Sequence, residues 1–435
     1  MRLGTRLVPL LPFHYGWVML ACACCAAISR AGPAVATLSI FVEPMTREFG
    51  WSRTALSGAV SLGGILAAIV SPAIGTMLDR RGPRLILCAA VLTTGGTILL
   101  LSQINSLLAF YLLFCIARMN FAGPYDLGIY GAVNNWFVAR RATASSIVTL
   151  AQMFGLTAIP LLGHVAMQQH GWRGGWLTIG ATVLLVGFLP AWLLLVKRPE
   201  DVGLIPDSSQ SRTERATGET GGAAPQATRF EEPAFTRAQA LRTRAFWMLS
   251  LFTLMVYPVQ AGVSLHQAAH LVERGLSATA AVTAVGAFSM TSAVAGLGFG
   301  ILLRWISVRA ALALSAALLS ASAVLMTAVT GPAQALAAAM LFGAGIGGIQ
   351  TILPVAWADY FGRRNFGAIR GVALTIQVTS QAAGPLLSGV LRDWTGDYAA
   401  SLMSFAGLAG GAMLAAMLVR APNLPSRRSS RLDRA

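Results

Sequence analysis

The chain has 435 residues, of which 55% are hydrophobic and only 11% are charged, and its formal net charge is +16. That balance excludes an ordinary water-soluble domain, which needs far more polar surface. It also argues against a nucleic-acid-binding surface, because the basic residues are scattered between apolar runs and do not gather on one exposed face.

Apolar runs of about 20 residues or more can cross a hydrocarbon core of about 30 Å as helices, and the chain contains twelve of them. Their approximate bounds are 15–40, 54–78, 84–102, 106–134, 142–168, 174–196, 245–270, 279–303, 309–329, 332–358, 367–391 and 398–420. The sequence therefore predicts an all-α polytopic membrane protein. Its predicted parts are an N-terminal six-helix half (1–196), a flexible cytoplasmic linker (197–244), a C-terminal six-helix half (245–420) and a basic cytoplasmic tail (421–435).

Charge placement predicts the orientation of these helices, because Lys and Arg accumulate in cytoplasmic loops. With both termini inside, the cytoplasmic segments hold 25 of the 32 basic residues and the outer loops hold five. The remaining two, Arg30 and Arg118, fall within predicted helices. We therefore expect a multi-pass protein of the cytoplasmic (inner) membrane with both termini in the cytoplasm, whose basic rim contacts membrane lipids.

An internal repeat relates the two halves. The segment from Glu48 to Ala55 reads Glu-x-Gly-x-Ser-x-Thr-Ala, and it recurs from Glu273 to Ala280, a shift of 225 residues. The same shift carries Gly75 to Gly300 and Gln152 to Gln377. A parallel repeat of six helices predicts a pseudo-two-fold axis along the membrane normal, with a substrate path between the halves.

The loop between the second and third helices reads Gly75-Thr-Met-Leu-Asp79-Arg80-Arg81-Gly82-Pro83-Arg84. It resembles the G-x-x-x-D-R-x-G-x-R/K loop motif of the major facilitator superfamily. The resemblance implies that Gly75, Asp79, Arg80, Gly82 and Arg84 gate the cytoplasmic side, with Asp79 pairing with arginines or with a helix end. The alternative is that these charges only anchor the loop among lipid headgroups. In the second half, Arg304 stands where Asp79 would repeat.

Four further stretches resemble the bacterial monocarboxylate transporter and oxalate/formate exchanger group of that superfamily. They are Tyr15-Gly16-Trp17, Phe49-Gly50-Trp51-Ser52, Trp136-Phe137-Val138-Ala139-Arg140-Arg141 and Gly171-Trp172-Arg173. The resemblance implies transport of a small organic anion, a monocarboxylate above all, by proton symport or exchange. Two departures weaken it: Ala34 replaces a frequent lysine after Pro33, and the eighth helix has no charge between Phe288 and Gly296.

Charged residues inside the membrane are the main candidates for a substrate site. Arg30 lies about 22 Å along the first helix, where an arginine costs at least about 2.5 to 3.5 kcal/mol unless it faces a cavity or an acid. It is predicted either to bind a carboxylate or to form a structural pair. Asp126, the one acid placed within the membrane, is predicted to neutralise Arg30 and to take up the coupling proton, with a static ion pair as the alternative. Arg118 is a further site charge or a structural one.

In the superfamily the first, fourth, seventh and tenth helices line the central path, so polar residues on them are candidates. Tyr125, Asp126, Tyr257, Gln260 and Gln350 are predicted to contact substrate beside Arg30. His266 is predicted to handle protons at a mouth of the path; a hydrated helix end is the alternative. Its partner on the same helix face, His270, lies four residues on, but no third metal ligand accompanies the two.

The sequence thus predicts a monomeric secondary active transporter without enzymatic activity, cofactor, metal or nucleic-acid partner. Its partners would be a small organic anion and a proton or counter-anion. One alternative is an exporter of hydrophobic or cationic compounds, favoured if Arg30 is structural. Another is a non-transporting membrane sensor that signals through the linker.

Overall fold

The computed structural model describes residues 8–207 and 233–422, and within those ranges every regular element is a helix. The helices are Gly16–Ser29 and Val35–Phe49 (first span), Arg53–Arg81 (second), Pro83–Leu101 (third), Leu107–Ala122 and Pro124–Trp136 (fourth), Arg141–Val183 with its continuation to Leu194 (fifth and sixth), Arg244–Glu273 (seventh), Ala278–Leu302 (eighth), Val308–Thr327 (ninth), Pro332–Phe361 (tenth), Phe366–Thr395 (eleventh) and Ala399–Leu418 (twelfth). We call the end of the bundle that carries Arg81, Trp136 and Phe361 the linker side, and the opposite end the far side.

Nine of the described helices are long and apolar enough to cross a membrane, and one of these is the 54-residue run Arg141–Leu194. That run is two antiparallel spans, because His170 and Gly171 leave helical geometry and a Cβ on Gly175 would lie 3.1 Å from the carbonyl oxygen of Gly163. These nine helices do not include the first span, because its break leaves two shorter helices. They do not include the eleventh either, because polar residues lower its mean hydropathy. The predicted all-α fold with twelve spans is confirmed.

The first span is broken near its middle, where the sequence predicted one helix over 15–40. Its first half ends at Ser29, and Ala34 is extended with φ −68° and ψ 156°. Pro33 has no N–H and cannot continue the hydrogen-bond ladder. The Ala31 carbonyl, which has lost its helical donor at the break, accepts from the Thr37 hydroxyl at 2.7 Å and from the Ala34 N–H at 3.1 Å.

The fourth span is broken as well, at Gly123, which has φ −117° and ψ −83° and is followed by Pro124. The carbonyls of the turn before the break therefore lose part of their helical donors. Asp126 lies in the first turn of the second half-helix, where the free N–H groups of a helix start favour a negative charge. Both breaks place polar groups at the same level of the bundle.

The two halves meet mainly along two helix pairs, the second span with the eleventh and the fifth with the eighth. The six-span repeat exchanges these pairs, as a pseudo-two-fold axis requires. On the linker side the approach is so close that a Cβ on Gly75 would overlap the Gly367 carbonyl oxygen. A Cβ on Gly300 would lie 2.6 Å from the Ser146 hydroxyl oxygen. The structure is therefore closed on the linker side.

The described ends of the predicted linker pack against this closed side. Asp207 accepts hydrogen bonds from the backbone N–H groups of Val138, Ala139 and Arg140 at 2.6 to 2.9 Å. At the other end, the Phe235 N–H donates to the Phe361 carbonyl at 3.2 Å. Residues 208–232, which form the middle of the predicted linker, and residues 423–435 of the predicted tail lie outside the described residues.

Candidate functional site

Arg30 lies at the break of the first span and reaches across to the break of the fourth. Its Nε donates to the Phe121 carbonyl at 2.8 Å, one of the carbonyls freed ahead of Gly123. Its guanidinium carbon lies 4.6 Å from the centre of the Phe121 ring, and its Nη1 lies 3.8 Å from Asp126 Oδ2. The side chain is only 9% exposed. The structure thus brings Arg30 and Asp126 together, as the sequence predicted.

A third charge joins them that the sequence reasoning missed. Arg370 Nη2 lies 3.3 Å from Asp126 Oδ1, and the Arg370 side chain is 1% exposed. The 25 basic residues assigned to the cytoplasmic segments include Arg370, and that assignment is wrong, because Arg370 lies inside the eleventh span, Phe366–Thr395. The signal was present, because residue 370 falls within the predicted span 367–391 and a buried arginine there needs a partner.

Asp126 is therefore shared between arginines of different halves, Arg30 from the first and Arg370 from the second. Both separations exceed the 2.7 to 2.9 Å or so of a tight charge-assisted hydrogen bond. The two arginines therefore hold the carboxylate loosely. Because two cations share one carboxylate, the cluster carries a surplus positive charge. A group so placed can exchange partners at low cost.

Two glutamines support the arginines in a pseudo-symmetric way. Gln377 Oε1 accepts from Arg370 Nη2 at 2.8 Å, and Gln152 Oε1 accepts from Arg30 Nη1 at 3.5 Å. These glutamines are equivalent by the 225-residue shift of the repeat. Each half thus uses the same position, on its fifth span, to orient an arginine.

The other predicted contacts are placed less uniformly. Tyr257 is buried on the seventh span, within electrostatic range of Arg370 and Asp126. Gln350 accepts at its backbone carbonyl from the Tyr130 hydroxyl at 3.3 Å, a contact between the tenth and fourth spans. Gln260 is half-buried further along the seventh span. Tyr125 is fully buried in the packed core beside Thr94. The roles of these residues stay predictions.

His266 lies apart from the arginine cluster. It is nine residues beyond Tyr257, or about 13 Å further towards the far side. Its Nε2 donates to the Pro385 carbonyl at 3.3 Å, which leaves Nδ1 to accept from the Tyr398 hydroxyl at 3.3 Å. His270 is buried and bonded to the Met326 carbonyl at 2.8 Å. The structure thus joins His266 to the eleventh and twelfth spans of its own half, and its predicted role in proton handling is untested.

The predicted gate residues divide into two groups. Asp79 accepts from the backbone N–H groups of Gly367 and Ala368 at 2.8 and 2.7 Å, so it caps the eleventh span. Of the two partners predicted for it, the structure selects the helix end. Together with the close approach of Gly75, this contact joins the halves on the linker side.

The remaining gate residues contact the end of the sixth span. Lys197 Nζ donates to the Arg80 carbonyl at 2.7 Å, and the Arg84 guanidinium donates to the Trp192 carbonyl while lying 4.8 Å above its ring. Gly82 has φ +87°, a conformation that favours glycine. These residues hold the loop in place within the first half.

Comparison with known proteins adds a family. The model of the Major Facilitator Superfamily matches residues 19–385. A "Probable L-galactonate transporter" of Escherichia coli is 26% identical over 181 residues, which are 41% of this chain and 38% of that protein. Human "Monocarboxylate transporter 11" is 26% identical over 404 residues, which are 89% of this chain and 79% of that protein. For the first relatives, the match spans little more than a third of their length.

A relative with a different described role also matches. The "Membrane sensor protein UhpC" of Salmonella typhimurium is 25% identical over 232 residues, or 52% of this chain and 50% of that protein. Among solved structures, the transporter FucP in an outward conformation superposes with a TM-score of 0.69 at 13% identity, over 94% of this chain and all of that one. That likeness shows the fold alone.

Proposed function

The chain belongs to the Major Facilitator Superfamily, and from that premise we propose that it is a secondary active transporter of small organic anions. Monocarboxylates are the first class we assign to it, moved with a proton or in exchange for a second anion. We place the protein in the inner membrane as a monomer with both termini in the cytoplasm. The linker side is then the cytoplasmic side.

The observation that carries this proposal is the sharing of Asp126 between Arg30 and Arg370. Arginine's planar fork suits a carboxylate, and here two forks from different halves converge on one. Arg370 Nε and Nη1 are buried without a hydrogen-bond partner among the described residues, so the cluster has donors to spare. A substrate carboxylate entering from the far side would compete with Asp126 for the same donors.

That competition supplies a coupling mechanism. Protonation of Asp126 removes its charge and weakens its hold on both arginines, so the anion binds in its place. Because Arg370 belongs to the second half, freeing it from Asp126 also weakens a contact between the halves. The Asp79 cap and the Gly75 contact then remain as the gate that must open towards the linker side.

Uptake into proteoliposomes tests the proposal. The full chain would be offered radiolabelled organic acids, their neutral amides and hydrophobic cations, with and without an inward proton gradient. We expect carboxylate uptake in the wild type, and its loss in Arg30→Gln and in Arg370→Gln. Asp126→Asn should keep exchange but lose stimulation by the gradient. Arg47→Gln is the matched control, since Arg47 is 79% exposed and pairs with Glu43 on the surface.

Two results would overturn the anion proposal. One is the absence of carboxylate uptake by a correctly folded wild type. The other is uptake that Arg30→Gln and Arg370→Gln leave at the level of the Arg47→Gln control. Transport of hydrophobic cations in either case would favour an exporter.

The sensor remains a second candidate, favoured by the match to a membrane sensor protein. The linker separates the two functions, since a sensor would signal through it. Deletion of residues 208–232 should leave uptake intact in a transporter. A protein that binds a carboxylate without moving it, before and after that deletion, would be assigned to sensing.

A further inference from the structure

Arg118 is a half-buried cation that plays no part in the mechanism proposed above. It lies on the fourth span, eight residues and about 12 Å before Asp126 in the direction of the far side. Its Nε and Nη1 are buried and make no hydrogen bond within the described residues. Its stem packs against the second span, where a Cβ on Gly63 would lie 2.6 Å from the Arg118 Cβ. Helix packing thus holds the stem of the side chain, while its Nε and Nη1 have no hydrogen-bond partner among the described residues.

Phe121 links this arginine to the proposed carboxylate site. The Arg118 guanidinium carbon lies 4.3 Å from the centre of the Phe121 ring, and that of Arg30 lies 4.6 Å from the same centre. These two distances add up to 8.9 Å, which is the upper limit on the separation of the two guanidinium carbons. Both cations are therefore within reach of the two ends of one small molecule.

The charges of this region do not balance. Arg30, Arg118 and Arg370 contribute three positive charges, and Asp126 is the carboxylate that pairs with two of them. In the part of the chain that the structure describes, no ion pair to Arg118 is found. An aromatic ring stabilises a cation only partly, and a buried charge needs a counter-charge. Within the described residues, two of these three positive charges are therefore not neutralised by an acidic side chain.

We propose that Arg118, on the ring of Phe121, forms a second anion subsite, and that the protein prefers small dicarboxylates to monocarboxylates of equal length. This rests on the proposed transport function and specifies its substrate class. One carboxylate of the ligand binds Arg30 and Arg370, and the other takes the free Nε and Nη1 of Arg118. A monocarboxylate fills the first position only.

Succinate and butyrate test the subsite, because both have four carbons and differ in one terminal carboxylate. Each would compete against a radiolabelled carboxylate that the reconstituted wild type takes up. We expect succinate to compete at about a tenfold lower concentration than butyrate. Arg118→Gln should remove most of that advantage, weakening succinate about tenfold more than butyrate. Arg118→Lys, which keeps the charge, should retain part of it.

The outcomes separate this inference from the function on which it rests. Uptake of monocarboxylates with no preference for succinate in the wild type would overturn the subsite and leave the transport proposal intact. Equal weakening of both acids by Arg118→Gln would also overturn it, because a purely structural arginine affects both alike. If Arg118→Gln does not fold, as judged by its melting in detergent, the wild-type preference and the Arg118→Lys variant decide. Uptake of neither acid would count against both proposals.

Discussion

The two halves share one architecture but differ in the spans that face each other across the path. In the first half, the first and fourth spans are broken near the membrane centre, and Arg30, Arg118 and Asp126 lie at or near the breaks. In the second half, the seventh and tenth spans run unbroken from Arg244 to Glu273 and from Pro332 to Phe361, although both contain a proline. Proline alone therefore does not break these helices.

The repeat makes the chemical difference plain. The 225-residue shift carries Arg30 to Met255, and the 224-residue shift near Phe137 carries Asp126 to Gln350. The first half supplies most of the charged groups of the candidate site, and the second half contributes Arg370 from the eleventh span. Duplication preserved the packing of the helices, whereas the site is built from residues that the duplication does not repeat.

The largest effect should come from the gate glycines. Gly75→Ala places a Cβ onto the Gly367 backbone carbonyl, which cannot rotate away. Overpacking of this kind costs about 3 kcal/mol, so we expect the linker-side closed state and most transport to be lost. The repeat-equivalent Gly300→Ala meets the Ser146 side chain first, at 2.6 Å, and should have a smaller effect.

Transport rates and the thiol-labelling rate of Asn135→Cys on the linker side measure this difference. Equal effects of the two alanines would mean that the halves contribute equally to closure.

Next in size is the difference between the two equivalent glutamines. Gln377→Ala removes a 2.8 Å acceptor from a fully buried arginine, and we expect a loss of about 1.5 kcal/mol of unfolding free energy. Gln152→Ala removes a 3.5 Å contact and should cost less. Unfolding of the purified variants in detergent would measure the two losses of unfolding free energy. A larger loss for Gln152→Ala would contradict the ranking of the two contacts.

A smaller effect should come from the break itself. Thr37→Val removes the hydroxyl that donates to the Ala31 carbonyl at the break, at a cost of about 1 kcal/mol. Thr253→Val is the matched change in the seventh span, where the Leu249 carbonyl keeps its helical donor, whereas the Ala31 carbonyl keeps only the turn hydrogen bond from the Ala34 N–H. We expect the second variant to melt close to the wild type. Similar melting of both variants would indicate that water replaces the lost hydroxyl.

The smallest effect concerns Glu48 on the far side. Hydrogen bonds from the Trp172 indole and from Arg173 hold the pKa of Glu48 below its ordinary value. Its contribution to stability is therefore present above the unfolded-state pKa and is lost as pH falls through the folded-state pKa. The melting temperature of Glu48→Gln should lie slightly below that of the wild type at neutral pH and approach it in acid. Its repeat equivalent, Glu273→Gln, provides the comparison; a gap that persists in acid would assign the effect to packing.

The sequence predicted the spans and the Arg30–Asp126 pair because both depend on local rules: apolar length, and the cost of a charge in hydrocarbon. It did not predict the breaks, because glycine and proline also occur in continuous membrane helices. It missed Arg370 because orientation rules assign arginines near span ends to loops. The partner of Asp79 depends on which N–H groups of the second half are free, and the local sequence around Asp79 does not reveal them.

The contacts made by the described ends of the linker have a consequence for how the chain can be divided. Asp207 is bonded to the loop ahead of the fifth span, and Phe235 to the end of the tenth, so each of these two contacts lies within its own half, whereas Glu200 pairs with Arg363 of the second half. A cut between residues 208 and 232 would leave both sets of contacts in place. The two halves could then be translated as separate polypeptides and assemble in one membrane, an arrangement that fits a gene formed by joining two copies end to end.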